Sequence, residues 1–271
     1  MSAVAVARGQ TSADGGTEMK LHRAARFGEV SKEGPSIQPI AGTGIKASGT
    51  SVAIKRLGIG VSAHSAKPSG RGGARNRADR VSLGLSAKQV GNLQAAVGFA
   101  ASLGLPLNRM ITVHWESGGI SPARMVKATG RFLDLLTRWL ARRGSRTAWI
   151  AVHENGPGKG AHVHVLAHVP PSLVKPLTGR QRAWLRLICG TPYRDGVIHS
   201  RPVGGLLGAE QSNQPAFAAN LAEALSYLTK GAEPSAAALL GLHRLDGGGP
   251  VIGRRCSTSQ NIGAKARKEA L

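Results

Sequence analysis

Two apolar runs rich in β-branched residues lie side by side in the middle of the chain, at residues 147–154 and 161–169. Between them is Asn155-Gly-Pro-Gly-Lys-Gly160. Glycine and proline supply the backbone angles of a chain reversal and disfavour helix, so the two runs are predicted to form a β-hairpin. Sequence on either side supplies further strands and the helices to flank them. Ser86 is placed to cap a helix through Val90, Leu93, Ala96, Val97 and Ala100, which stops near Gly104 and Pro106. Residues 110–116 alternate and are rich in β-formers, which predicts a strand. Ser121-Pro122 opens a long amphipathic helix through Met125, Phe132, Leu135, Leu136 and Trp139. A helix over about 172–188, a strand near 197–203 and a helix over about 215–229 complete the reading. The expected fold class is α+β, a central antiparallel β-sheet with flanking helices.

Charge narrows the partner. The 271 residues carry 36 Lys+Arg against 14 Asp+Glu, a formal net charge of +22. Such an excess points to a polyanion, either nucleic acid or an anionic membrane surface. A bilayer-spanning helix needs about 20 consecutive apolar residues, and the sequence has no run near that length, so a membrane is not expected. Residues 1–80 hold 13 Lys/Arg, 5 Asp/Glu and 13 Gly, with Phe27 as the sole aromatic. A segment this poor in apolar area does not offset its chain entropy, so it is expected to be a flexible, disordered basic arm, with a short strand at 51–57. Its role is sequence-independent phosphate contact or simply that of a solvated linker. The ordered domain is expected over 81–253, followed by a basic tail over 254–271. The first ten residues lack a secretory pattern, and Asp14, Glu18, Glu29 and Glu33 argue against an organelle transit peptide. Cys189 and Cys256 have no metal or redox spacing and read as reduced thiols of a cytoplasmic protein.

The second hairpin strand contains His162-Val-His164-Val-Leu-Ala-His168. Side chains alternate across a strand, so His162, His164 and His168 share one face and Val163, Val165 and Ala167 the other. A face of imidazoles packs poorly, but two of them at His-x-His spacing converge readily on a divalent ion. The third ligand is expected from the neighbouring strand, which ends His153-Glu154, and a one-residue slip in register exchanges which of the two faces the histidines. A carboxylate suits Mg²⁺ or Mn²⁺, which favours Glu154 and leaves His153 as the substitute. His114 and Glu116, on the preceding strand, share a face that also borders the site. His168 reads equally as a surface histidine at the strand end.

The helix near 215–229 carries two stripes. Phe217, Leu221, Leu225 and Leu228 form an apolar face, and Asn220, Glu223, Tyr227 and Lys230 a polar one. Tyrosine and lysine thus stand one turn apart. A phenol is a weak nucleophile until its charge is stabilised, and a nearby ammonium both favours the phenolate and neutralises a phosphate in transfer. From spacing alone, the same pair also reads as a half-buried tyrosine with a solvated lysine.

Together these blocks resemble the HUH endonuclease superfamily, in particular the rolling-circle replication initiators with one active tyrosine. Ile111-Thr-Val-His-Trp115 is similar to the family's first strand block, His162-Val163-His164 to its metal block, and Tyr227-Leu-Thr-Lys230 to its nucleophile helix. The likeness covers about 85–230. It implies an HUH endonuclease-like fold and metal-dependent, sequence-specific nicking and joining of single-stranded DNA, through a covalent 5′-phosphotyrosine on Tyr227. His162, His164 and Glu154 would hold Mg²⁺ or Mn²⁺, and Lys230 would offset charge. The substrate implied is a plasmid or phage replication origin. With no GxxxxGK[ST] phosphate loop in the chain, the helicase, like the polymerase, would be the host's, and no small-molecule cofactor is implied. Transposases of the same superfamily share this motif order; relaxases, whose tyrosine precedes the histidines, fit less well. Arg142, Arg143, Arg146, Arg180, Arg182 and Arg186 are the expected phosphate contacts, though each also reads as an ordinary surface charge. Two other readings compete. A histidine-triad nucleotide hydrolase needs histidine where Leu166 stands, and a non-enzymatic nucleic-acid-binding protein explains the charge but not the histidine face.

Overall fold

A computed structural model describes residues 79–270; the predicted arm, with its strand at 51–57, lies outside the described residues except for its last two positions. In chain order the elements are β1 (Val81–Ser82), α1 (Ala87–Ser102), β2 (Arg109–His114), α2 (Pro122–Ala141), β3 (Trp149–Gly156), β4 (Gly160–Ala167) and α3 (Pro171–Cys189). They continue with β5 (Ile198–Pro202), α4 (Ala209–Ser212), α5 (Gln214–Thr229), α6 (Pro234–Leu240), β6 (Val251–Ile252), β7 (Cys256–Thr258) and α7 (Ala264–Glu269). Five strands form an antiparallel sheet in the order β5-β2-β4-β3-β7, and β1 pairs separately with β6. The described part of the chain is therefore α+β, with the histidine strand β4 at the centre of the sheet. Among the described residues no helix is long and apolar enough to cross a membrane.

Local sequence accounts for the element ends. Ser86 closes a capping box with Gln89 at the start of α1, each satisfying a backbone N–H of the other. Pro122 opens α2, where its missing N–H has no helical partner to lose. In the hairpin, pairing runs on to Gly156 and Gly160, which leaves only Pro157, Gly158 and Lys159 in the turn. The turn is tighter than the sequence suggested because Gly158 and Gly160 both adopt positive φ, 83° and 58°.

Helices cover both faces of the sheet. Met125, Phe132, Leu136 and Leu140 of α2, with Leu177, Trp184 and Leu185 of α3, pack on Ile111, Val113, Ala151, Val163 and Val165. On the other face, Val90, Leu93 and Ala96 of α1, with Phe217, Leu221 and Leu228 of α5, pack on Met110, Ile150, Val152 and Leu166. Burying each of the larger side chains, Val, Leu, Ile, Met or Phe, contributes about 1.5–3 kcal/mol. Along this second face the cross-strand rungs change character. Met110, Leu166 and Ile150 form an apolar rung, then Thr112, His164 and Val152 a mixed one, then His114, His162 and Glu154 a fully polar one. The polar end of this face is the site.

The segment from 254 on, read from its charge as a separate tail, adds the edge strand β7 to β3. The Arg255 side chain is fully buried. Its guanidinium donates to Ser82 Oγ at 3.0 Å and to the carbonyls of Ser82 and Gly249. Arg267 of α7 donates to Asn92 Oδ1 of α1 at 2.6 Å.

Candidate metal and tyrosine site

The register of the β3–β4 hairpin places Glu154 directly opposite His162. Glu154, His162 and His164 are all buried, and each offers one ligand atom within 4.8 Å of the others. His162 Nε2 lies 3.3 Å from Glu154 Oε2, and His164 Nε2 lies 3.8 Å from it. His153 points to the opposite face of the sheet, where its Nδ1 sits 3.1 Å from the Arg255 carbonyl. Of the two candidates for the third ligand, it is Glu154 that joins the histidines.

Both imidazoles are oriented by bonds at their far nitrogens. His162 Nδ1 donates to the Gly160 carbonyl at 2.7 Å, and His164 Nδ1 lies 2.9 Å from Thr112 Oγ1. A carbonyl only accepts, so the His162 ring proton is on Nδ1 and a neutral His162 turns a lone pair toward the Glu154 carboxylate. A lone pair facing a carboxylate oxygen calls for a proton or a cation between them. Two further buried atoms, His164 Nε2 and Glu154 Oε1, have no hydrogen-bond partner. Leaving such a group unpaired costs about 1–3 kcal/mol, so the donor set fits a divalent ion.

Electrostatics keep Glu154 and His164 in ligand form. Burial would push the Glu154 carboxyl up, but the neighbouring His162, the hydrogen bond and charge of Lys230, and the nearby His164 outweigh it and hold it at about 2. Burial pushes His164 down to about 3, against the pull of Glu154 and with the help of the neighbouring cationic groups. Burial likewise lowers His153 to about 4. Around neutral pH the site therefore offers a carboxylate and a neutral His164.

Tyr227 and Lys230 reach this cluster from the end of α5. The Tyr227 ring stands edge-on to the His164 ring, with centroids 4.9 Å apart. Lys230 Nζ is 4.8 Å from the Tyr227 ring centroid and pairs with Glu154 Oε2. Lys230 is only 5% exposed, where the spacing alone also allowed a solvated side chain. It follows the last residue of α5, and the sequence pattern did not indicate that its side chain would turn inward. Arg244 covers the Tyr227 ring at 5.0 Å. A pocket of about 400 Å³ opens beside Tyr227, lined by Met110, Arg201, Asn220 and Arg244 among others.

Several sequence-singled residues fall elsewhere. His114 borders the site, its ring 5.5 Å from that of His162, whereas Glu116 accepts the Ala161 N–H at 2.8 Å and supports the hairpin backbone. His168 lies past the end of β4, bonded to the Pro106 carbonyl at 2.9 Å, and takes no part in the cluster. Tyr193 packs against the α2–α3 core, with Arg182 over its ring. Arg142, Arg143 and Arg146 lie at the end of α2 and just before β3, and Arg180, Arg182 and Arg186 lie on α3. All six are exposed, on the helical layer covering the face opposite the histidines, so the fold does not gather them at Tyr227. The arginines near the tyrosine are Arg201 and Arg244, which sequence reading passed over. His199, whose ring lies 5.6 Å from that of His114, was passed over as well. His199 and Arg201 alternate along β5, and that same-face pairing was the available signal.

Comparison of the chain with family models, with curated proteins and with solved structures gave no match.

Proposed function

We propose that this chain nicks and rejoins single-stranded DNA through Tyr227. The observation that carries the reading is the convergence of two segments distant in sequence: Glu154, His162 and His164 from the hairpin meet the end of α5, with Tyr227 against His164 and Lys230 beside Tyr227 and Glu154. A structural tyrosine has no need of a three-ligand cluster at its ring edge. The five-stranded antiparallel sheet with the histidines on its central strand is in keeping with an HUH endonuclease-like fold.

Glu154, His162 and His164 would hold Mg²⁺ or Mn²⁺, which when bound supplies Lewis-acid polarisation of the scissile phosphate. The chain's own residues do the rest. Tyr227 Oη attacks phosphorus, the P–O3′ bond breaks, and the phenol proton ends on the departing 3′-oxygen. The products are a 5′-phosphotyrosine and a 3′-hydroxyl, and reversal of the step rejoins the strand. Lys230 and Arg244 place positive charge beside the Tyr227 ring, where it would offset the charge of the phosphate in transfer. Arg201, Arg244 and Asn220 line the pocket beside Tyr227 and offer donors to phosphate oxygens. The partners in this reading are a replication origin exposed as single strand, a host helicase to expose it and a host polymerase to extend the 3′-hydroxyl.

The experiment incubates the protein with Mn²⁺ and a randomised single-stranded oligonucleotide pool, then resolves it on a denaturing gel. A covalent adduct is expected from the wild type and from Tyr193→Phe, and none from Tyr227→Phe. An adduct that survives Tyr227→Phe overturns the assignment.

A further inference from the structure

On the other side of the sheet from Tyr227, between α2 and the β3–β7 edge, lies a cavity of about 1080 Å³. That is slightly above the roughly 300–1,000 Å³ typical of small-molecule sites. Three features of its wall point to one kind of ligand. The first is His153. Its Nδ1 faces the Arg255 carbonyl at 3.1 Å, which fixes the ring proton there and leaves a lone pair on Nε2. His153 is 2% exposed, and its Nε2 has no hydrogen-bond partner. The cavity wall thus carries an oriented acceptor in need of an N–H or O–H donor.

The second feature is Trp149, a half-buried indole held by a bond from its N–H to Thr137 Oγ1 at 3.3 Å. An indole anchored in this way is a platform for a flat ring. The third is charge. Lys127 and Arg254 line the cavity, and its single lining acid, Asp134, is paired with Arg138. Thr147, also in the wall, directly follows Arg146, and Arg142 and Arg143 directly follow helix α2. The arginine run that the tyrosine site leaves unused therefore borders this cavity in the chain.

We infer that the cavity is a second nucleic-acid subsite, taking an unpaired nucleotide of a single strand. The base stacks on Trp149 and donates an N–H to His153 Nε2, while the flanking phosphates meet Lys127, Arg254 and Arg146. The inference rests on the reading that the chain binds single-stranded DNA, but not on cleavage.

The test uses the full chain, an oligonucleotide carrying 5-iodo-deoxycytidine, ultraviolet crosslinking and mass spectrometry. A crosslink to the peptide containing Trp149 is expected, and Trp149→Leu should weaken strand binding about tenfold, the scale of one lost base stack. Arg254→Glu, at an exposed position, should also weaken binding, and it decides the matter if Trp149→Leu folds poorly. Crosslinks confined to the Tyr227 side, or unchanged binding by Arg254→Glu together with no Trp149 crosslink, overturn the subsite. A crosslink from free 5-iodo-dCMP but none from the strand overturns the strand in favour of a free nucleotide. Loss of the Tyr227 adduct with the Trp149 crosslink retained refutes nicking alone; the converse result refutes the subsite alone.

Discussion

Replacing Glu154 with glutamine removes the charge that faces Lys230 while keeping the side chain's volume. Both partners are buried, Glu154 at 4% and Lys230 at 5% exposure, so the ammonium left behind has little access to water. Asp246, the other acid near it, stands 4.0 Å away and is itself exposed. An uncompensated buried charge of this kind costs about 3–5 kcal/mol. With a urea m-value of about 3 kcal/mol/M, the unfolding midpoint should fall by about 1–1.7 M. Lys230→Met should also destabilise, because it takes a hydrogen bond and a positive charge from a carboxylate held at about 2. The double variant Glu154→Gln/Lys230→Met removes both charges and should recover most of the loss, a coupling of at least about 2 kcal/mol. Mn²⁺ adds an independent readout. At 100 times its Kd it should stabilise the wild type by about 2.7 kcal/mol and leave Glu154→Gln almost unmoved. A loss below about 1 kcal/mol for Glu154→Gln, with the two single effects simply adding, would refute the buried pair.

Acidification should destabilise the fold through its neutral histidines. His164 and His153 have folded values of about 3 and about 4, below the ordinary 6.5. Their contribution is full above pH 6.5 and is lost as pH falls toward the folded values, so going from pH 7 to 5 should cost about 2 kcal/mol for each ring. Urea midpoints at the two pH values measure this, and His153→Leu should remove about half of the slope. Phe132, fully buried and edge-on to Trp115 and Trp184, should cost about 3–5 kcal/mol when cut to alanine. Thermal unfolding reports that loss, and Mn²⁺ stabilisation should persist in the variant because α2 packs on the face away from the ligands.

The helices were legible because their signals are local: Ser86 for α1, Ser121-Pro122 for α2 and the 3–4 spacing of Phe217, Leu221, Leu225 and Leu228 for α5. The histidine face was legible from period-two alternation. What alternation cannot supply is register, so Glu154 and His153 stayed open until pairing set Glu154 against His162. Strand β7 was missed because three residues carry no periodicity and gain their structure only by pairing with β3. The six arginines lie apart from Tyr227 for a related reason. A charge run marks the solvent face of a helix, but which side of the sheet that helix covers is decided by tertiary packing, and α2 and α3 cover the side away from Tyr227. Lys230 followed the expected stripe in sequence yet is buried, drawn inward by a carboxylate 76 positions away.

The most direct measurement is mass spectrometry of the protein after reaction with Mn²⁺ and a single-stranded oligonucleotide, followed by nuclease and protease digestion. A nucleotide joined through phosphate to Tyr227 Oη is the predicted result, absent in His162→Ala/His164→Ala. A strand cut without any protein–DNA linkage, or a linkage at another residue, would contradict it.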